Sequence, residues 1–193
     1  CHGKEGRATR DGYFPRIAGK PAGYLSNQLR NFRDGHRRHP QMTYMVAHLS
    51  DAYLNAMADY FASLELPYPP AQPAAVAAPL LTHGRHLALN GDPARKIPAC
   101  TACHGEKLTG MQPTIPGLVG LSRDYLNAQF GAWRLGRRSA AAPDCMAEIS
   151  RKLTPEDIGA VSAWQASQPV PADMTARPST GAKLPVRCGS FPQ

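Results

Sequence analysis

Aromatic residues are scarce, at 7% of 193 positions, and no run of 18 apolar residues occurs. The second absence excludes a membrane-crossing helix. The first, together with 19 prolines and 17 glycines, predicts long irregular segments and thin packing. Two small domains of this composition would need a disulfide, a metal or a large cofactor to complete their cores. A continuous basic stripe is also missing. The formal charge of +8 and a pI near 9.5 suggest nucleic acid at first, but the basic residues scatter through NFRDGHRRH and AWRLGRRS. Nucleic-acid binding is therefore set aside, and an acidic protein partner or a membrane surface is expected instead. No charged and apolar leader precedes Cys1, so an export signal, if there was one, is expected to have been removed.

Five cysteines are present: Cys1, Cys100, Cys103, Cys145 and Cys188. Residues 100 to 104 read C-T-A-C-H. Two thiols one helical turn apart can each add to a haem vinyl group, and the adjacent histidine then lies under the iron. A zinc half-site would want a second Cys/His pair at finger-like spacing, which is missing. A thioredoxin-like thiol pair would want a βαβ pattern, also missing. Covalent haem c is the prediction, held by Cys100 and Cys103 with His104 as proximal ligand.

The chain repeats itself. Cys1 and His2 match Cys103 and His104. Further on, Pro15 matches Pro116, Gly19 matches Gly120, Tyr24-Leu25 matches Tyr125-Leu126 and Gln28 matches Gln129. Phe32 then matches Trp133, Gly35 matches Gly136 and Arg37 matches Arg138. This is a tandem duplication, so two haem c groups are predicted, the first on Cys1 with His2 as proximal ligand. The second half has a helix before its motif, around LTHGRHLALNG, whereas nothing precedes Cys1. The front of the first half, with its other cysteine, is expected to be missing from this sequence.

The sixth iron ligand is sought among six methionines. Ser50 caps one closing helix and Thr154 the other, with Pro155 at its first position and Glu156 and Asp157 in its first turn. Counting back from Leu49 and Leu153, Met42 and Met146 occupy equivalent places and are the favoured ligands. Met45 is matched by Ile149. Met111 has Thr9 or Arg10 opposite it and is read as packing, Met57 as core, and Met174 as a tail residue. His36, His39, His48, His83 and His86 do not repeat and are read as surface or loop residues.

These segments resemble the dihaem cytochrome c4 family. The resemblance runs through "CHG…FPRIAGKPAGYLSNQLRNFRDGHR" in the first half and "IPACTACHG…IPGLVGLSRDYLNAQFGAWRLGRR" in the second, over residues 1 to about 168. It implies an all-α fold of two tandem cytochrome c domains packed about a pseudo-twofold axis, with haem propionate edges close together. It also implies His2/Met42 and His104/Met146 ligation, and a periplasmic location, soluble or membrane-associated. The implied partners are redox proteins: a terminal oxidase, a dehydrogenase or other complex subunits.

The domains are expected at 1–66 and 80–168, joined by a Pro/Ala linker at 67–79 and followed by an extended tail at 169–193. A disulfide between Cys145 and Cys188 would pin that tail beside the second methionine loop. The rival is Cys145 itself as a haem ligand, which would hint at sulfur chemistry. Pro15 and Pro116 are expected to accept a hydrogen bond from the proximal imidazoles through their carbonyls. Tyr24, Tyr125, Phe32 and Trp133 are expected to line haem crevices. Arg16, Arg30, Arg37 and Arg138 are candidates for propionates or an acidic partner. The predicted function is outer-sphere electron transfer, as a shuttle or as a complex subunit. The alternative is a haem enzyme acting on a small sulfur or peroxide substrate.

Overall fold

The fold was derived from a computed structural model that describes residues 1–9, 12–181 and 183–192. Arg10, named above opposite Met111, and two tail positions, Ala182 and Gln193, lie outside the described residues. Helices dominate. The first half holds α1 (Ala22–Arg33), α2 (Pro40–Val46) and α3 (Asp51–Ala62). The second holds α4 (Ala78–Asn90), α5 (Cys100–His104), α6 (Arg123–Arg134), α7 (Cys145–Lys152) and α8 (Pro155–Ala166).

The caps explain the register. The Ser50 hydroxyl accepts from the Tyr53 amide at 3.3 Å to start α3. Thr154 and Asp157 form a reciprocal capping box at α8, so two donors are satisfied where the chain enters the helix. The chain turns away after α1 and α6 through Gly35 (φ +81°) and Gly136 (φ +66°), a conformation that glycine adopts without steric cost. In the second half α8 is buried against α4 and α6, around Leu87, Phe130, Leu153, Ile158 and Val161. In the first half Phe32, Val46 and Leu54 make a smaller core.

The structure is mostly helical, as the sequence predicts, with one small addition: a short antiparallel ribbon, β1 (Gly110–Met111) with β2 (Ile115–Pro116). Gly110 allows it: a Cβ there would meet the amide of Gly117 and the carbonyl of Ile115 at 2.6 Å. The linker expected at 67–79 ends earlier, because α4 already begins at Ala78. Its Pro79 lies in the first turn, where a missing amide hydrogen costs nothing. The rest of the linker is irregular and tied to the folded halves. Arg16 donates to the carbonyls of Leu66 (2.6 Å) and Pro67 (3.0 Å), and the Gln72 amide donates to that of Ala166 at 3.0 Å.

The tail after α8 is irregular but attached. Arg177 forms an isolated parallel bridge with Met111. Met111, Ile115, Cys188 and Phe191 form a buried cluster that touches Cys103 and Cys145.

Candidate haem sites

One cavity of about 1840 Å³ runs through both halves. Pockets for a single ligand fill roughly 300–1,000 Å³, so this space suits two large planar groups. Its wall contains Cys1, His2 and Met42 on one side, and Cys100, Cys103, His104 and Met146 on the other.

The two histidines are held alike. His104 ends α5 and is buried. Its Nδ1 lies 2.7 Å from the Pro116 carbonyl oxygen on β2. His2 Nδ1 lies 2.9 Å from the Pro15 carbonyl oxygen. Since a carbonyl only accepts, each Nδ1 carries the proton and Nε2 is left with a lone pair for a metal. Burial lowers His104 to about 4, and burial also lowers His2. Both rings are therefore kept in the neutral form that ligates. Burial pushes the Cys100 thiol up to about 12 and raises Cys103. Cys1, Cys100 and Cys103 are in no disulfide.

Met42 on α2 and Met146 on α7 are half-buried, each packed against the core of its own half. Met45, by contrast, is 67% exposed and Met111 is fully buried. Met57 lines the cavity and is only half-buried, which corrects its reading as core. His39 also lines the cavity, with its Nε2 3.3 Å from the Tyr13 hydroxyl. The expectation of a surface or loop residue rests on its lack of a repeat partner, and the fold instead half-buries it in this wall. Cys145 and Cys188 are joined by a disulfide with Cα atoms 4.9 Å apart. In this state the Cys145 sulfur is not available as an iron ligand.

Of the four arginines singled out in the sequence, Arg16 lines the cavity away from the seam and Arg30 lies outside it. Arg16 serves the linker and stacks on Tyr68. Arg30 bonds Asp51, Ser26 and Asn55 within its own half. Arg37 and Arg138 instead meet at the seam between the halves. Arg37 donates to Gln28, Tyr125 and Gln129, at 2.8, 3.0 and 2.8 Å. Arg138 donates to Gln129, Tyr24 and Gln28, at 2.8, 3.4 and 3.0 Å. These acceptors are neutral, and among the described residues neither guanidinium has a carboxylate partner. Burial opposes ionisation of the Tyr24 phenol, yet Arg138 and Arg37 bring it below its ordinary value.

The fit to haem c rests on these features. Arg37 and Arg138 line the cavity at the seam with no carboxylate partner among the described residues, and the Trp133 indole Nε1 is buried and has no hydrogen-bond partner among them. An anionic edge at the seam would satisfy all three donors, and an apolar macrocycle would fill the rest. Phe32 and Trp133 both line the cavity, as expected, beneath Arg37 and Arg138.

No protein-family model matches the chain. It is 39% identical over 171 residues to the thiosulfate dehydrogenase electron acceptor of Thiomonas intermedia, covering 88% of this chain and 77% of the relative. It is 34% identical over 166 residues to cytochrome c4 of Pseudomonas aeruginosa, covering 85% and 80%. The chain belongs to the dihaem cytochrome c4 family. Among solved structures, cytochrome c4 of Pseudomonas stutzeri matches with a TM-score of 0.72 and 30% identity, over 86% of this chain and 90% of that one. A thiosulfate dehydrogenase (TsdBA) of Marichromatium purpuratum matches with a TM-score of 0.78 and 32% identity, over 88% of this chain. The match spans about a third of that longer chain, 36%.

This cytochrome c4-like protein is therefore a dihaem electron-transfer cytochrome with two covalently bound haem c groups. Its mostly helical two-part fold is that of the family. No described helix is long and apolar enough to cross a membrane. The sequence did not reveal the roles of Gln28 and Gln129, although their match in the repeat was the available signal. It also did not reveal Lys20, which has no repeat partner of its own kind.

Proposed function

We propose that this cytochrome accepts electrons from a thiosulfate dehydrogenase in the periplasm. The observation that carries the reading is its 39% and 38% identity, over 88% and 86% of the chain, to proteins named as electron acceptors of that enzyme. The match to the TsdBA chain supports it.

Each haem, when bound, supplies one reversible ferric/ferrous electron. The residues do the rest. Cys1, Cys100 and Cys103 would anchor the macrocycles. His2 with Met42 would hold one iron, and His104 with Met146 the other. Pro15 and Pro116 fix the imidazole planes through their carbonyls, and the thioether sulfurs favour the reduced metal. Tyr24, Tyr125, Arg37 and Arg138 bind the anionic edges at the seam. The disulfide at Cys145 and Cys188 keeps the tail over the second site. Irons held by two protein ligands each would leave no position for activating a small substrate. The net charge of +8 suits an acidic docking surface or an anionic membrane face.

The test mixes oxidised holo-protein with a thiosulfate dehydrogenase and thiosulfate, and follows the haem absorption bands. Reduction of both haems only when all three are present is expected. No reduction in the full mixture would reject the partner. Rapid reduction by thiosulfate alone would instead make the chain a haem enzyme.

A further inference from the structure

The seam is nearly symmetric: Arg37 pairs with Arg138 as a bridge, Arg37 bonds Tyr125 as Arg138 bonds Tyr24, and both arginines bond Gln28 and Gln129. Lys20 breaks the symmetry. It lies in the first half directly after Gly19, and the repeat sets Leu121, directly after Gly120, in the equivalent place. Lys20 is 4% exposed, lines the shared cavity and reaches across the seam. Its Nζ donates to the carbonyl of Gly117 at 2.6 Å. Gly117 directly follows Pro116, whose carbonyl accepts from His104. Among the described residues Lys20 forms no ion pair. The charged side chain that acts on it is Arg16, of like sign. Leu121 is buried in the same wall and carries neither a donor nor a charge.

We propose that Lys20 is a positioning residue, built into the first half, that tunes the second haem. Its ammonium steadies the Pro116–Gly117 segment behind His104 and makes the second haem easier to reduce, and the repeat sets the apolar Leu121 where Lys20 would otherwise recur. The inference rests on the reading of His104 as the second iron's ligand. A buried charge without a counter-ion disfavours further positive charge nearby. Ferric iron carries one more positive charge than ferrous, so the reduced form gains. In the interior of a protein such a charge shifts an equilibrium by roughly threefold to tenfold at moderate distance.

The amine's burial brings its pKa to about 7, so the test is run at pH 6, where it is charged. Both midpoint potentials of the holo-protein are measured by optical redox titration. Each is assigned to its half by nuclear Overhauser contacts from the haem methyl groups. Lys20→Met is expected to lower the second haem's reduction constant by up to about tenfold, which is ~59 mV for one electron. The first haem should move less than twofold. Lys20→Gln keeps a donor for Gly117 but loses the charge, and should behave like Lys20→Met. Lys20→Arg should stay near the unmodified protein. Equal shifts of both haems, a shift of the first alone, or a wild-type potential in Lys20→Gln would each overturn the proposal. Absence of two reversible one-electron waves in the unmodified protein would instead overturn the electron-carrier reading.

Discussion

Arg37 and Arg138 lie side by side across the seam as an isolated antiparallel bridge, and each reaches into the opposite half. The tyrosine that Arg37 meets belongs to the second half, and the one that Arg138 meets belongs to the first. The amide of Arg38 also donates to the carbonyl of Arg137 at 2.8 Å. The two halves thus share one polar network, with Gln28 and Gln129 each accepting from both arginines.

That sharing makes the network non-additive. Arg138→Ala should destabilise the holo-protein by about 2–3 kcal/mol, since hydrogen bonds to a charged group are lost and partners stay buried. Arg37→Ala should cost a similar amount. The double variant should cost clearly less than their sum, because both side chains use the same glutamines. Denaturant unfolding measures all three, and strict additivity would show that the arginines act independently.

The disulfide fastens the tail. Replacing Cys145 and Cys188 by serine should cost about 2–4 kcal/mol of stability, for a link spanning 43 positions. Protease should then cut the tail before it cuts the helices. Reductant should produce the same cleavage pattern in the unmodified protein. An unchanged pattern in both cases would mean that the buried Phe191 cluster holds the tail unaided.

Asp157 governs acid stability of the second half. Its carboxylate accepts from His83 Nε2 (2.7 Å), Arg95 Nη1 (2.6 Å) and the Thr154 amide (2.8 Å). Burial opposes its ionisation, yet Arg95, Thr154 and His83 hold it well below the usual carboxylate range. A lowered folded-state value contributes stability that is complete above the unfolded value near 4 and is lost as pH falls below it. Asp157→Asn should cost about 2–3 kcal/mol at pH 7, with the difference shrinking below pH 4. Thermal melts across that range check the sign.

Carbon monoxide reports on the sixth ligands. The reduced protein should bind it slowly or not at all. Met42→Ala and Met146→Ala should each admit one equivalent rapidly, and the double variant two. Rapid binding to the unmodified protein would contradict six-coordinate iron in both halves.

Much of this was legible in the chain. The C-x-x-C-H string states its chemistry through spacing alone, because the thiols and histidine must sit within one helical turn. The repeat then carried that reading to His2, Pro15 and Met42, since duplicated halves keep matching positions. Helix starts at Ser50 and Thr154 were readable because capping is local. Non-local contacts were not. Nothing in the spacing of Arg16 and Arg30 separates them from Arg37 and Arg138, and only folding sends the first pair to the linker and to α3 and the second to the seam. His39 was passed over because it does not repeat, although its backbone position at the start of α2 brings it to the cavity.

The sequence by itself determined the cofactor, the duplication and the helical class, because covalent attachment, repetition and capping are properties of near neighbours. The tertiary structure decided which cations face the shared cavity and where the tail lies. It also decided that Lys20 serves the opposite half. Those are questions of which surfaces meet, and residues 97 positions apart, as in the bond from Lys20 to Gly117, meet only when two halves fold and dock.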